Sequence, residues 1–104
     1  NYGAFFIDEG DFMTTRKNFD NKLITIGGIL KNKRLDLSLE KKSREFFLAD
    51  RISKGLLDTS SISIETLKNI ENGKTLPSIS TLKTLSIALE MDFHELIDAI
   101  YDYI

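Results

Sequence analysis

Apolar residues recur at three- and four-residue spacing in five stretches of this 104-residue chain, and that spacing is typical of amphipathic helices. The helices are predicted at residues 20–35, 38–54, 63–72, 78–90 and from 92 onward. In the first, Leu23, Ile26 and Leu30 share one side, and Arg34 lies on that same apolar side. No stretch reads convincingly as a strand, so the pattern predicts an all-α fold.

Four of the predicted helices begin at a residue whose side chain can accept a hydrogen bond from a free amide of the first turn. These residues are, in chain order, Asp20 or Asn21, Ser38 or Ser43, Ser63 and Asp92, and Pro77 and Ser78 mark the start of the remaining helix. Asp92 and Glu95 have the spacing of a capping box. Gly55 and Gly73 tolerate the positive φ of a helix exit, and Gly27-Gly28 would let another backbone approach the first helix closely.

Residues 1–19 lack a readable helical pattern, since Gly3 and Gly10 interrupt it. Apolar residues such as Tyr2 and Phe5 are nevertheless more frequent there than in an unattached tail. We therefore predict an irregular N-terminal arm at 1–19 that is either a tag or a segment packed on a partner. The domain itself is predicted at 20–104.

The formal net charge of −2 is unevenly distributed along the chain. Residues 16–54 contain eleven Lys and Arg against five acids, whereas the chain after residue 86 contains five acids and no Lys or Arg. The absence of cysteine excludes disulfides and thiolate chemistry, and no apolar run reaches membrane-spanning length, so a cytoplasmic protein is expected. His94 is the sole histidine and lies in the predicted capping box. We expect no enzyme activity, cofactor or metal site.

The helix at 63–72 has a polar side suited to hydrogen bonding with base edges and phosphates, although a solvated surface would look the same. From this side we select Ser63, Glu65, Thr66 and Asn69 as candidate base contacts. The candidate phosphate contacts are Lys41, Arg44, Lys68 and Lys74.

Four segments together resemble the Cro/phage-repressor (XRE) helix-turn-helix domain, over about residues 24–97. They are LKNKRLDL at 30–37, LKNIENGK at 67–74, PSISTLKTLSIAL at 77–89 and DFHEL at 92–96. The resemblance implies that the third helix enters the major groove of double-stranded DNA. It also implies an ion pair between Arg34 and Glu71, which agrees with the position of each charge on an otherwise apolar face.

The connection between the second and third helices departs from that family. Residues 55–62 are about twice the usual turn of three or four residues. The usual Gln near the start of the second helix is not evident, and Arg44 or Lys41 is the candidate substitute. The fold is expected to survive, because a longer surface loop costs little closure entropy.

Two functions follow as hypotheses. The first is a sequence-specific, repressor-type transcriptional regulator that reads a palindromic operator as a homodimer. The second is an antitoxin-like or regulatory protein-interaction module that retains the fold without reading DNA. For the homodimer we predict an interface of Ile97, Ile100, Tyr101 and Ile104, which recur at helical spacing. The alternative is that this end packs over the first helix and the arm.

Overall fold

The computed structural model describes the backbone of residues 13–104 and the side chains of residues 21–104. Its helices are α1 (Met13–Leu35), α2 (Arg44–Ser53), α3 (Ile64–Glu71), α4 (Ile79–Ala88) and α5 (Phe93–Ile100), followed by a 3-10 turn at Tyr101–Tyr103. Residues 13–104 contain no strand, and the predicted all-α class with five helices is confirmed.

The first helix begins earlier than the sequence pattern indicates. It starts at Met13, so Asp20 and Asn21 lie inside α1 and do not cap it, and residues 13–19 are helical instead of part of an irregular arm. Asp and Asn cost less than about 0.7 kcal/mol in a helix interior, which is too little to stop a helix on their own. Residues 1–12 of the predicted arm lie outside the described residues.

The second helix is shorter than predicted, because residues 38–43 are not helical. Ser43 is the N-cap, and its Oγ accepts from the Phe46 amide at 3.1 Å, so Ser38 is not the start of the helix. The ammonium of Lys42 holds the preceding connection by donating to the carbonyls of Leu35, the last residue of α1, and of Leu37 within the connection. The bond to Leu35 satisfies a helix-end acceptor without a further helical turn.

Three of the helices end in the same backbone motif. The residue after the C-cap has positive φ in each: Gly55 (79°), Gly73 (75°) and Glu90 (56°). At Gly73, the amide donates to the Ile70 carbonyl and the next amide donates to the Asn69 carbonyl, as in a Schellman motif. Glycine adopts this conformation without strain, whereas Glu90 carries a Cβ and does not.

A close contact between α1 and α3 lies at the centre of the fold. A Cβ on Gly27 would lie 2.7 Å from the carbonyl oxygen of Glu71 and would also meet that of Ile70, so only glycine fits there. The core around this contact takes residues from all five helices and from the α2–α3 connection. Its buried hydrophobic cluster comprises Ile26, Leu30, Phe47, Leu48, Leu57, Leu67, Ile70, Leu82, Leu85, Ala88, Leu89, Leu96 and Ile100.

The C-terminal end differs from the predicted dimer seam. Ile100 is fully buried in the core, and Ile97 packs partly buried against it, so these two residues do not form an exposed surface. The α-helix ends at Ile100, and the 3-10 turn that follows breaks the three-, four- and seven-residue spacing. Tyr101 and Ile104 are 69% and 61% exposed. Of the four predicted interface residues, Ile97 and Ile100 therefore pack in or against the core, and Tyr101 and Ile104 are exposed to solvent.

Candidate nucleic-acid interface

Helix α3 has a buried side and a solvent side that its sequence separates cleanly. Leu67, Ile70 and Glu71 are buried. At about 100° per residue, Glu65, Asn69 and Asn72 fall on one line directly opposite that buried side. Glu65 and Asn72 are exposed and Asn69 is partly exposed, while the exposed Lys68 lies on the edge of the same surface. We call Glu65, Lys68, Asn69 and Asn72 the outer face of α3.

The start of α3 is held by a side-chain cap. The hydroxyl of Ser63 accepts from the Thr66 amide at 3.0 Å and donates to the Thr66 hydroxyl at 2.9 Å. Ser63 and Thr66 are both exposed, which a base contact requires. Their hydroxyls are, however, already hydrogen-bonded to each other. Of the four candidate base contacts, only Glu65 and Asn69 lie on the outer face.

The carboxylate of Glu71 binds two arginines at the inner side of α3. The Arg34 guanidinium donates to both of its oxygens, at 2.6 and 2.8 Å, which confirms the predicted pair between α1 and α3. Arg44 Nε also donates to Glu71 Oε1, at 2.8 Å. Arg44 was predicted only as a phosphate contact, and its side chain remains 24% exposed. With two guanidiniums on one carboxylate, the cluster of Arg34, Arg44 and Glu71 carries one net positive charge.

The two remaining lysines predicted as phosphate contacts are exposed. Lys41 is exposed just before the N-cap of α2, and Lys74 is exposed just after Gly73. Lys42, which was not predicted as a site residue, is exposed, and its ammonium is bonded to the carbonyls of Leu35 and Leu37. The Arg34 guanidinium, which binds Glu71, also donates to the Lys42 carbonyl in the connection between α1 and α2. The structure thus links Arg44 and the 36–43 connection to α3 through Glu71.

The long α2–α3 connection is folded on the core. Leu57 is buried, and Ile62 packs partly buried against the cluster. A turn between them is closed by a bond from the Ser61 amide to the Asp58 carbonyl at 3.1 Å and one from the Asp58 amide to the Ser61 hydroxyl at 2.9 Å. The predicted lengthening is therefore confirmed, and the extra residues form an anchored turn ahead of α3.

The side chain of Arg51 on α2 is buried, although arginine is usually exposed. Its guanidinium lies over the Phe47 ring and donates to Glu90, Asp50 and the Ala88 carbonyl. The bond from Arg51 holds the pKa of the Asp50 carboxyl below its usual value. The partners at 88 and 90 are distant in sequence, so the periodicity of α2 alone did not indicate them.

Other kinds of site have little support in the described residues. His94 is exposed in the first turn of α5, next to Asp92, where the predicted capping box is present. Within residues 21–104 no group of His, Asp and Glu is arranged to hold a metal ion. None of the described helices has both the length and the apolar character needed to cross a membrane.

Residues 51–96 match the model of a helix-turn-helix family. The match starts inside α2 and ends inside α5, so it includes the long connection, all of α3 and all of α4. Neither the comparison with curated proteins nor that with solved structures found a match.

Proposed function

We propose that the protein is a sequence-specific repressor of the Cro/C1-type (XRE) helix-turn-helix family of DNA-binding regulatory domains, whose model residues 51–96 match. In this proposal α3 enters the major groove of an operator. The observation that carries it is the outer face of α3, a line of polar side chains directly opposite the buried Leu67 and Ile70.

The outer face has the chemistry that base reading requires. Asn69 offers an amide that can donate to and accept from adenine, and Glu65 offers acceptors. Lys68 adds a cation at the edge of the face, where phosphates line the groove. Ser63 and Thr66 begin the same helix and would approach the backbone or bases with hydroxyls that are already partnered.

Phosphate binding is proposed for the cations around α3. Arg44 uses its Nε for Glu71, and the rest of its part-exposed guanidinium is at the first turn of α2, where a helix N-terminus favours anions. Lys41, which precedes α2, and Lys74, which follows α3, are both exposed and are the other proposed phosphate contacts. The overall charge of −2 then matters less than how the cations are distributed along the chain.

We also propose a homodimer on a palindromic operator, with a smaller interface than the sequence pattern indicates. Tyr101 and Ile104 are the exposed members of the predicted seam, and Tyr103 beside them is 38% exposed. Tyrosine is favoured at interfaces because it combines apolar area with a polar tip. Two copies of α3 would read two half-sites one helical turn apart.

The second candidate is a protein-interaction module. The observation that favours it is the acidic C-terminal part, where Asp98 and Asp102 are exposed beside Tyr101 and Ile104. An acidic and partly apolar surface of this kind suits a protein partner better than a phosphate backbone.

A salt titration with random duplex DNA separates the two candidates. Fluorescence anisotropy of a labelled duplex is measured over a range of salt concentrations. A DNA-binding protein shows log K falling linearly with log salt, by about 0.9 for each neutralised phosphate. A chain that shows no salt-dependent binding at low salt would exclude the repressor and leave the interaction module.

A further inference from the structure

We infer that Glu65 is a base-selecting residue of α3 and that its carboxylate accepts a hydrogen bond from the N4 amino group of a cytosine. The inference rests on the proposed function and specifies one base of the operator.

The first step is to ask which groups of α3 are free to select a base. Ser63 has given its only hydroxyl proton to Thr66, and its oxygen accepts the Thr66 amide. Turning Ser63 toward a base would remove the cap of α3. A hydroxyl group can bond to more than one kind of base, so Ser63 and Thr66 would discriminate only weakly between bases.

Of the candidate base contacts, Glu65 and Asn69 lie on the outer face and have no described side-chain partner, and Glu65 is the one that can only accept hydrogen bonds. Its side chain is exposed on the line opposite the buried side of α3, and no other described side chain forms an ion pair or hydrogen bond with it. Lys68, three residues later, lies on the edge of the same face. A carboxylate brought into a groove lined by phosphates is repelled unless it meets a donor. With α3 in the major groove as proposed, the Glu65 carboxylate would be stabilised only by a donor of the bound DNA.

The pattern of the major groove points to cytosine as that donor. The groove edge presents two amino groups, N4 of cytosine and N6 of adenine. Adenine N6 lies between two acceptors, its own N7 and O4 of the paired thymine, and both repel a carboxylate. Cytosine N4 has an acceptor on one side only, O6 of the paired guanine. A G·C pair is thus the pair that a free Glu65 carboxylate favours.

The test is a selection of bound sequences from a random duplex pool at one fixed salt concentration. Wild type is compared with Glu65→Gln and with Asp98→Asn, a matched loss of one exposed carboxylate on α5. Wild type and Asp98→Asn should enrich a cytosine at one half-site position by roughly tenfold over other bases. Glu65→Gln should lose that preference and favour adenine there, because glutamine pairs with adenine.

The outcomes separate this inference from the function on which it rests. If wild type binds random duplex with a salt slope but Glu65→Gln selects the same cytosine, the assignment of Glu65 is wrong and DNA binding stands. The same holds if the wild-type pool shows no fixed cytosine. If wild type shows no salt-dependent binding at all, both the function and the inference are overturned.

Discussion

Arg34 and Glu71 lie 37 residues apart in sequence, and two hydrogen bonds join the guanidinium of one to the carboxylate of the other. The pair fastens α1 to the C-terminal end of α3, next to the point where Gly27 admits the α3 backbone. Arg44 adds a bond from α2 to the same carboxylate. One buried carboxylate thus positions α3, whose outer face is the candidate DNA-reading surface, relative to both preceding helices.

Glu71→Ala should destabilise the protein by about 3–5 kcal/mol, because it leaves the buried Arg34 without its counter-ion. The Glu71 side chain is 1% exposed, so solvent screens little of this loss. Thermal denaturation measures it against Glu65→Ala, an exposed change on the same helix that should stay within about 0.5 kcal/mol of wild type. Equal melting temperatures for the two variants would show that the pair contributes little.

The two neighbouring glycines of α1 should respond in opposite directions to alanine. Gly27→Ala places a Cβ against the carbonyls of Ile70 and Glu71 and should destabilise by about 1–3 kcal/mol, the range for overpacking. Gly28→Ala meets nothing within 4 Å and should stabilise by up to about 1 kcal/mol through helix propensity. Urea unfolding of both variants is the measurement. A stabilising Gly27→Ala would disprove the close approach of α1 and α3.

Replacing Glu90 by glycine should destabilise the protein less than replacing it by alanine. Both changes remove the bond to Arg51, but only glycine relieves the positive φ of 56°. Glu90→Gly should therefore be more stable than Glu90→Ala by about 1 kcal/mol, the cost of a Cβ in the left-handed region. Chemical denaturation of the two variants measures this difference, and identical midpoints would argue against strain at this turn.

Lys68→Ala should weaken binding to all duplexes and reduce the salt slope by about one unit, because one phosphate contact is lost. Lys83→Ala is the control, since it removes an exposed lysine from α4 and leaves the outer face of α3 intact. Anisotropy titrations at several salt concentrations give both slopes. The role proposed for Lys68 fails if its variant has the slope of wild type.

Ile104→Lys should convert a dimer into a folded monomer. Ile79→Lys is the matched control, because Ile79 is 64% exposed on α4 and lies outside the proposed interface. A point substitution is preferred to a truncation, because removing Ile100 would take away a core residue and destabilise the monomer as well as the dimer. Sedimentation of the three proteins at micromolar concentration measures the change. A monomeric wild type would rule out the dimer, and dissociation by Ile79→Lys alone would move the interface to α4.

Local features of this fold could be predicted from the sequence because neighbouring residues produce them. Ser63, Ser78 and Asp92 cap the helices that follow them, since a short polar side chain reaches the amides of its own first turn. The partnership of Arg34 and Glu71 was also predictable, because each is a charge on an apolar stripe and needs an opposite charge when buried.

Features that depend on distant residues were decided only by the tertiary structure. The periodicity of α2 is compatible with an exposed Arg51, and its burial depends on Glu90 and the Ala88 carbonyl arriving from the end of α4. Ile100 has the spacing of either a core residue or a dimer seam, and packing against the other helices assigned it to the core. Helical spacing specifies which side chains share a face, whereas only the assembled helices specify what covers that face.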